Sequence, residues 1–147
     1  YLSVPGAFAS ANTPAVASVN ARDRIGQGPW HNAKGELIAR DVAHLHNGNQ
    51  INKQTALDEK GNPVKGRGDT PNEHDILTGS NGDGTLATGL TCGDWTSAEV
   101  TVAAQVGHSD GFGPNQSRDG ALASWNSAHA NQNCANTAPR GGAVSCW

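Results

Sequence analysis

The sequence lacks methionine, and it has few large side chains and little charge. Its 147 residues include only one tyrosine and two phenylalanines, and charged residues make up 16% of the chain, against about 25% in an ordinary globular protein. The apolar runs are a few residues long, far short of the roughly 20 that cross a bilayer, which excludes a membrane span. Low charge also argues against a disordered polyelectrolyte. The composition therefore indicates one folded domain, 1–147.

Basic residues are scarce. Ten Lys and Arg stand against 13 Asp and Glu, for a net charge of −3. No Lys/Arg cluster could neutralise a row of phosphates, so nucleic acid is disfavoured as a partner. The excess of negative charge lies in the second half of the chain, because residues 80–147 carry only two arginines against five carboxylates. Such a surface suits a cation or a neutral polar ligand, although solvation alone explains it as well.

The chain contains three cysteines, Cys92, Cys134 and Cys146. None belongs to a C-x-x-C pair and no histidine has finger spacing, which argues against a structural zinc finger. Free buried thiols are one alternative. Disulfides are favoured, because a chain with few bulky apolar residues has a small hydrophobic core and needs covalent cross-links to stabilise its loops. A bridge between Cys92 and Cys134 would contribute about 4 kcal/mol by loop entropy and would leave Cys146 for a partner elsewhere.

Short elements separated by turns predict an α+β fold that is loop-rich, with a twisted antiparallel sheet and few short helices. A turn at Asn32–Gly35 precedes a predicted strand, and Asp41 is expected to cap a brief helix. Further strands are predicted at 74–79, 100–106 and 142–147. Residues 1–20 are small and almost uncharged, which predicts a mobile or linker-like segment. Because the chain begins with Tyr1, we expect a processed product or a fragment that lacks an N-terminal segment.

Two features suggest metal binding, and each has a simpler alternative. Residues 80–84 place Asn81 and Asp83 in a small loop of the kind that holds calcium, but an ordinary Asn/Gly turn fits the same residues. Six histidines are present, and each is expected to be structural or at the surface. No nucleophile elbow occurs, and nothing in the sequence supports the separation that paired catalytic carboxylates need. An enzyme is therefore not expected.

The second half carries motifs in a specific order. They are Ile76-Leu77-Thr78-Gly79, Thr91-Cys92-Gly93-Asp94-Trp95-Thr96-Ser97, Val106-Gly107-His108-Ser109-Asp110, Ser124-Trp125-Asn126-Ser127-Ala128-His129 and Ser145-Cys146-Trp147. This order resembles bacterial exported lectin-like proteins related to the endostatin domain of collagens XV and XVIII, within the C-type-lectin-like fold. The resemblance covers about residues 21–147. It departs at Trp125-Asn126-Ser127, where sugar-binding C-type lectins have Trp-Asn-Asp.

The resemblance implies a C-type-lectin-like, endostatin-like fold and a secreted, periplasmic or cell-surface protein. It pairs Cys92 with Cys134, and it pairs Cys146 with an N-terminal helical segment that this chain lacks. The implied function is non-catalytic binding of a carbohydrate or another polar extracellular ligand, with calcium as the candidate ion. The alternative is a structural or adhesive subunit that is held to a partner through Cys146.

The predicted ligand surface lies between the paired cysteines. Trp95 and Trp125 are expected to bury near the bridge, since they are two of the few large side chains. The polar residues between them would then face outward, on loops fixed to a rigid base. These candidate ligand-binding residues are Asp94, His108, Asp110, Asn126 and His129.

Overall fold

The computed structural model describes residues 1–7, 9–112 and 125–135 of this small mixed α/β protein. Its elements are a 3-10 turn (Ala21–Asp23), β1 (Trp30–His31), β2 (Leu37–Ala39), α1 (Val42–His46), β3 (Asp75–Leu77), α2 (Cys92–Trp95), β4 (Gln105–His108) and β5 (His129–Ala130). Within the described ranges, no helix has the length and apolar character needed to cross a membrane.

The first antiparallel sheet is the predicted hairpin. Strands β1 and β2 pair Trp30 with Ala39, and the amide of Gly35 donates to the carbonyl of Asn32 at 2.9 Å. Gly35 has φ +79°, a value that glycine adopts without the Cβ clash of other residues. The helix α1 follows directly, and Asp41 caps it by accepting a hydrogen bond from the amide of His44 at 2.7 Å. Both predictions are confirmed.

The second antiparallel sheet has the order β3-β4-β5 and contains the candidate site. Its central strand β4 pairs Asp75 with His108 on one side and, on the other, Val106 with His129. The strand predicted at 100–106 is shifted, since the ladder runs over Gln105–His108. The strand begins later because the residues before Gln105 have partners outside this sheet. Ala104 forms an isolated bridge with Thr91, and the carbonyl of Val102 accepts a hydrogen bond from the amide of Cys134.

The sequence predicts a linker-like or mobile segment over residues 1–20, and the described part of that segment, 1–7 and 9–20, folds back on itself. Backbone bridges join Val4 to Val19, Ala7 to Val16 and Ser10 to Thr13. The segment is also tied to the rest of the protein, because the hydroxyl of Ser3 lies 2.8 Å from that of Ser80. These contacts are made mainly by backbone groups, which the side-chain pattern of a small-residue segment does not reveal.

The interior is more polar than apolar. Among the described residues, seven hydrophobic ones are buried, whereas fourteen buried residues are polar or charged. Burial of a polar group costs free energy unless a hydrogen bond, an ion pair or a metal compensates it. Four of the fourteen are the histidines and aspartates that surround one end of the second sheet: His74, Asp75, His108 and Asp110.

Candidate metal centre

Two neighbouring strands bring two histidines and an aspartate together. Asp75 begins β3, His108 ends β4, and the two are direct antiparallel partners. His74 immediately precedes β3, and its ring stacks on that of His108 with a centroid separation of 3.9 Å and an interplanar angle of 7°. Potential ligand atoms of these three buried residues all lie within 4.8 Å of one another.

A third histidine, His129 of β5, extends this group. Measured from Oδ1 of Asp75, the Nε2 atoms lie at 3.3 Å for His108, 3.5 Å for His74 and 4.0 Å for His129. Two ligand atoms of a tetrahedral zinc ion are separated by about 3.3 Å, since each bond is about 2.0–2.1 Å long. His74 and His108 lie close to this spacing from Asp75, whereas His129 lies farther from Asp75 and is not among the three residues whose ligand atoms all lie within 4.8 Å of one another. We call His74, Asp75, His108 and His129 the histidine–aspartate cluster.

The other ring nitrogen of each histidine already has an acceptor. Nδ1 of His74 lies 3.1 Å from the carboxylate of Asp110, Nδ1 of His108 contacts the carbonyl of Phe112, and Nδ1 of His129 lies 2.9 Å from the carbonyl of Ala130. Carboxylates and carbonyls only accept hydrogen bonds here, so the protons belong on Nδ1. Nε2 of each ring then faces the cluster, where it can donate a hydrogen bond to Asp75 or, once deprotonated, ligate a metal.

Two of the imidazoles also contact each other. Nε2 of His108 lies 3.1 Å from Nε2 of His129, a hydrogen-bond distance at which one ring donates and the other accepts. The same separation is close to that of two ligand atoms on one tetrahedral metal ion.

Asp110 supports the cluster from outside. Its carboxylate also accepts from the amides of Arg67 at 2.7 Å and of Phe112 at 3.0 Å. Burial raises the pKa of Asp110, but the hydrogen bonds from His74, Arg67 and Phe112 outweigh it and bring the pKa to about 2. Asp110 is thus an anion that orients His74, in the manner of a carboxylate–histidine–metal arrangement. Gly66 is required beside it, because a Cβ there would lie 2.5 Å from Oδ2 of Asp110.

Asp75 is the anion inside the cluster. Its side chain is fully buried. Burial raises its pKa, yet the hydrogen bond with His108 and the favourable charges of His108, His129 and His74 leave the pKa below its ordinary value. A buried carboxylate surrounded by three imidazoles carries the negative charge that a divalent cation needs.

The donor set selects the kind of metal. Imidazole nitrogen suits zinc, copper, iron and nickel, whereas calcium takes six to eight oxygen ligands. The cluster offers three nitrogens and one carboxylate, so its chemistry matches a transition-metal dication, with zinc the best fit to a tetrahedral arrangement.

The structure brings together only some of the residues predicted to bind a ligand. His108, Asp110 and His129 come together, but the expectation that the polar residues face outward is wrong for His108, Asp110 and Asn126, which are buried. The amide of Asn126 donates to the carbonyl of Asn81 at 2.9 Å and so ties two loops together. Asp94 is exposed and lies in the separate turn α2, with φ +59°.

The predicted calcium residues lie outside the cluster, in a tight turn. Oδ1 of Asp83 accepts from the amide and the hydroxyl of Thr85 at 3.0 and 2.6 Å, and Oδ2 lies 3.5 Å from the guanidinium of Arg22. The side-chain amide of Asn81 donates to Thr85 and Leu86. These are the contacts of the Asn/Gly turn that the sequence offered as the alternative.

The disulfide between Cys92 and Cys134 is present, with a Cα–Cα distance of 5.7 Å and a sequence separation of 42. It fastens the segment that carries His129 to the turn α2. Trp95 and Trp125 are half-buried, and the indole N–H of Trp95 donates to the carbonyl of Ser3 at 3.0 Å. Cys146 and the predicted strand 142–147 lie outside the described residues.

Sequence reasoning missed His74 and Asp75 as site residues. The available signal was an adjacent histidine and aspartate at the start of a predicted strand, together with the spacing of His108 and Asp110. This signal is weak, because Asp75 and His108 are far apart in the sequence and only the pairing of β3 with β4 makes them neighbours.

Comparison with protein-family models, with curated proteins and with solved structures finds no match to this chain.

Proposed function

We propose that this protein is a non-catalytic binding module that contains a buried transition-metal centre, with zinc as the best-fitting ion. The observation that carries the proposal is the convergence of three imidazole Nε2 atoms on Oδ1 of Asp75, at 3.3 to 4.0 Å. The ion would be held by His74, Asp75, His108 and His129. Asp110 would fix the orientation of His74 without touching the metal.

The role of the metal would be to hold the small sheet together. The three strands have only three, four and two residues, and each contributes or adjoins a ligand. Short sheets of this size bury little apolar surface, and small domains with limited cores commonly rely on metals or disulfides. Protein side chains would fill all four positions of a tetrahedral ion, and a site without an open position is structural rather than catalytic, which is why catalysis is not part of the proposal.

The centre would stabilise loops that bind a carbohydrate or another polar ligand outside the cell. The motif order in the second half supports this part of the proposal, and so does the pairing of Cys92 with Cys134, since disulfides persist in oxidising compartments. A glycan array probed with and without added zinc and calcium tests it. We expect binding to a defined set of glycans; uniform absence of signal from correctly bridged protein would contradict it.

Metal binding is tested directly by stripping the protein with a chelator and titrating it with zinc in a calorimeter. We expect one equivalent to bind and the melting temperature to rise, because a ligand that binds only the native state stabilises it. H108A and D75N should each lose this binding, whereas H31A, which replaces an exposed histidine outside the cluster, should retain it.

The proposal fails if correctly bridged wild-type protein binds no stoichiometric zinc, cobalt or nickel. It also fails if H108A and D75N, shown to be folded by near-ultraviolet circular dichroism, bind the metal as tightly as H31A does. Because D75N keeps the size of the side chain, it separates loss of the ligand from loss of packing.

A further inference from the structure

A group of large apolar side chains lines a cavity instead of filling a core. The cavity has a volume of about 260 Å³, and its wall includes six such residues: Ile38, Ile51, Leu57, Val64, Ile76 and Trp125. Each of the six is only half-buried. By contrast, five of the seven hydrophobic residues that are buried in the described part of the chain are alanine or cysteine. Side chains that line an unfilled space lose the contacts of a packed core, which favours an occupant.

The cavity lies on the face of the second sheet that is opposite to the histidine–aspartate cluster. Side chains alternate between the two faces along a strand, so Ile76, which follows Asp75 in β3, points away from the cluster and into the cavity wall. Gly107 is the direct partner of Ile76 on β4. Its lack of a side chain leaves room for the backbone of Trp125, another wall residue. The cavity is therefore separate from the proposed metal centre, and its wall contains none of the four proposed ligands.

The wall of the cavity favours an uncharged, largely apolar ligand. Its ten residues, all in the described part of the chain, are uncharged. A charged ligand would therefore lose its hydration without gaining an ion pair in return. A cavity of about 150 Å³ accommodates benzene, so the space of about 260 Å³ has room for about ten non-hydrogen atoms.

Two polar atoms of the wall lack a partner. Among the described residues, neither the hydroxyl of Ser109 nor the indole N–H of Trp125 makes a hydrogen bond, and both atoms are buried. The other two polar side chains of the wall are already bonded: Nδ2 of Asn32 donates to the carbonyl of Thr55 at 3.3 Å, and Oγ1 of Thr55 donates to the carbonyl of Gln50 at 2.6 Å. An indole N–H only donates and a hydroxyl can donate as well, so an acceptor oxygen is the ligand group that suits both atoms.

We propose that the cavity binds a small, neutral, largely apolar molecule that carries one carbonyl group, such as an aryl or cyclic ketone. The hydrocarbon part of the ligand supplies the missing contacts to Ile51, Leu57 and Val64. Its oxygen accepts hydrogen bonds from the indole N–H of Trp125 and the hydroxyl of Ser109. Binding is non-covalent, and it is an activity in addition to the metal and glycan binding of the proposed function.

The test titrates nitrogen-15-labelled, disulfide-bridged protein with three probes of equal size and follows its amide and indole resonances by NMR. Acetophenone has the carbonyl, α-methylstyrene has a CH₂ group in place of the oxygen, and benzoate has a charged oxygen in place of the methyl group. We expect acetophenone to shift the indole N–H resonance of Trp125 in a saturable way. It should bind about fivefold more tightly than α-methylstyrene, the usual effect of one hydrogen bond, and benzoate should give no saturable shift. W125F identifies the resonance, and its loss of the N–H should narrow the difference between the two neutral probes.

A pair of valine variants tests where the probe binds. V64F places a larger side chain in the wall and fills part of the cavity, so it should lose acetophenone binding. V100F changes a valine that is 69% exposed and lies outside the wall, so it should keep the binding. Thermal melts check that V64F is folded. In the wild type, acetophenone should also shift the amide resonances of Ile76 and Ser109, which locates the probe without any variant.

Three results would overturn the proposal. The first is a wild-type protein whose resonances acetophenone does not shift saturably up to about 10 mM, the weakest affinity expected for a ligand of about ten non-hydrogen atoms. The second is binding of benzoate or of α-methylstyrene as tight as that of acetophenone, because the site would then not select a neutral carbonyl compound. The third is a dimer, detected by analytical ultracentrifugation, that V64F dissociates, because a second copy of the chain would then occupy the cavity.

Discussion

Both carboxylate oxygens of Asp110 lie within hydrogen-bond distance of Nδ1 of His74, Oδ2 at 3.1 Å and Oδ1 at 3.2 Å. This contact places the proton of the imidazole on Nδ1 and directs Nε2 towards Asp75. Asp110 is therefore the residue on which the orientation of one buried ligand depends.

Replacing Asp110 with asparagine should weaken metal binding by 10- to 100-fold, the usual effect of removing a partner that orients a ligating histidine. The carboxamide introduced by D110N can present its N–H₂ group to His74 and favour the opposite tautomer. Calorimetric titration with zinc at constant pH measures the effect. E59Q, which removes a carboxylate from an exposed turn, is the matched control. Equal affinities in D110N and E59Q would show that Asp110 does not support the centre.

The bridge between Cys92 and Cys134 should stabilise both the fold and the cluster. His129 lies five residues before Cys134, so loss of the bridge frees the segment that carries this ligand. We expect the variant C92S/C134S to unfold with a free energy lower by about 4 kcal/mol, the loop-entropy value for this separation. Urea denaturation of metal-free protein gives this difference. The same variant should bind zinc more weakly, and unchanged zinc affinity would show that the bridge does not position His129.

Gly107 should not tolerate a side chain. It lies in the central strand β4, and a Cβ at this position would overlap the backbone carbonyl of Trp125. Backbone atoms cannot move aside as a flexible side chain can, so G107A should cost about 3 kcal/mol, at the upper end of typical overpacking. G35A is the control, because Gly35 has φ +79° but open space around it. It should cost only about 1 kcal/mol of backbone strain. Thermal melts that rank the two variants in the opposite order would contradict this packing.

Asp69 should give the protein an acid-sensitive contribution to stability. Its carboxylate accepts from Lys53 at 2.8 Å and from the amide of Gly66 at 2.9 Å, and these hydrogen bonds, that from Lys53 first, hold the pKa of Asp69 below its ordinary value of 3.8. A carboxyl whose pKa is lower in the folded state stabilises the protein above its unfolded pKa, and this stability is lost as the pH falls through the folded pKa.

D69N should therefore be less stable than the wild type at pH 6, and the difference should shrink as the pH falls from about 4 towards 2. Urea denaturation of metal-free protein across this range measures it. A difference that stays constant with pH would show that the ionised carboxylate is not the source of the stabilisation.

The turns and helix caps could be predicted from residues that are close together in the sequence. The turn at Asn32–Gly35 and the helix capped by Asp41 depend on contacts within a few positions, and these residue types carry their turn and cap geometry with them. The pairing of Cys92 with Cys134, which the family resemblance implies, is present. The strand predicted at 100–106 lies at Gln105–His108 in the structure, because its bounds depend on where β3 offers a partner rather than on the alternation of its own side chains.

The sequence by itself determined the absence of a long apolar span, the mixed α/β class with short elements, and the hairpin and cap that neighbouring residues form. Only the tertiary structure decided that His74, Asp75, His108 and His129 meet, because their association depends on the register that pairs Asp75 with His108 and Val106 with His129. It also decided that His108, Asp110 and Asn126 are buried. The physical reason is that burial and ligand geometry are properties of strand pairing across long sequence separations, whereas turns and caps are satisfied by hydrogen bonds within a few residues.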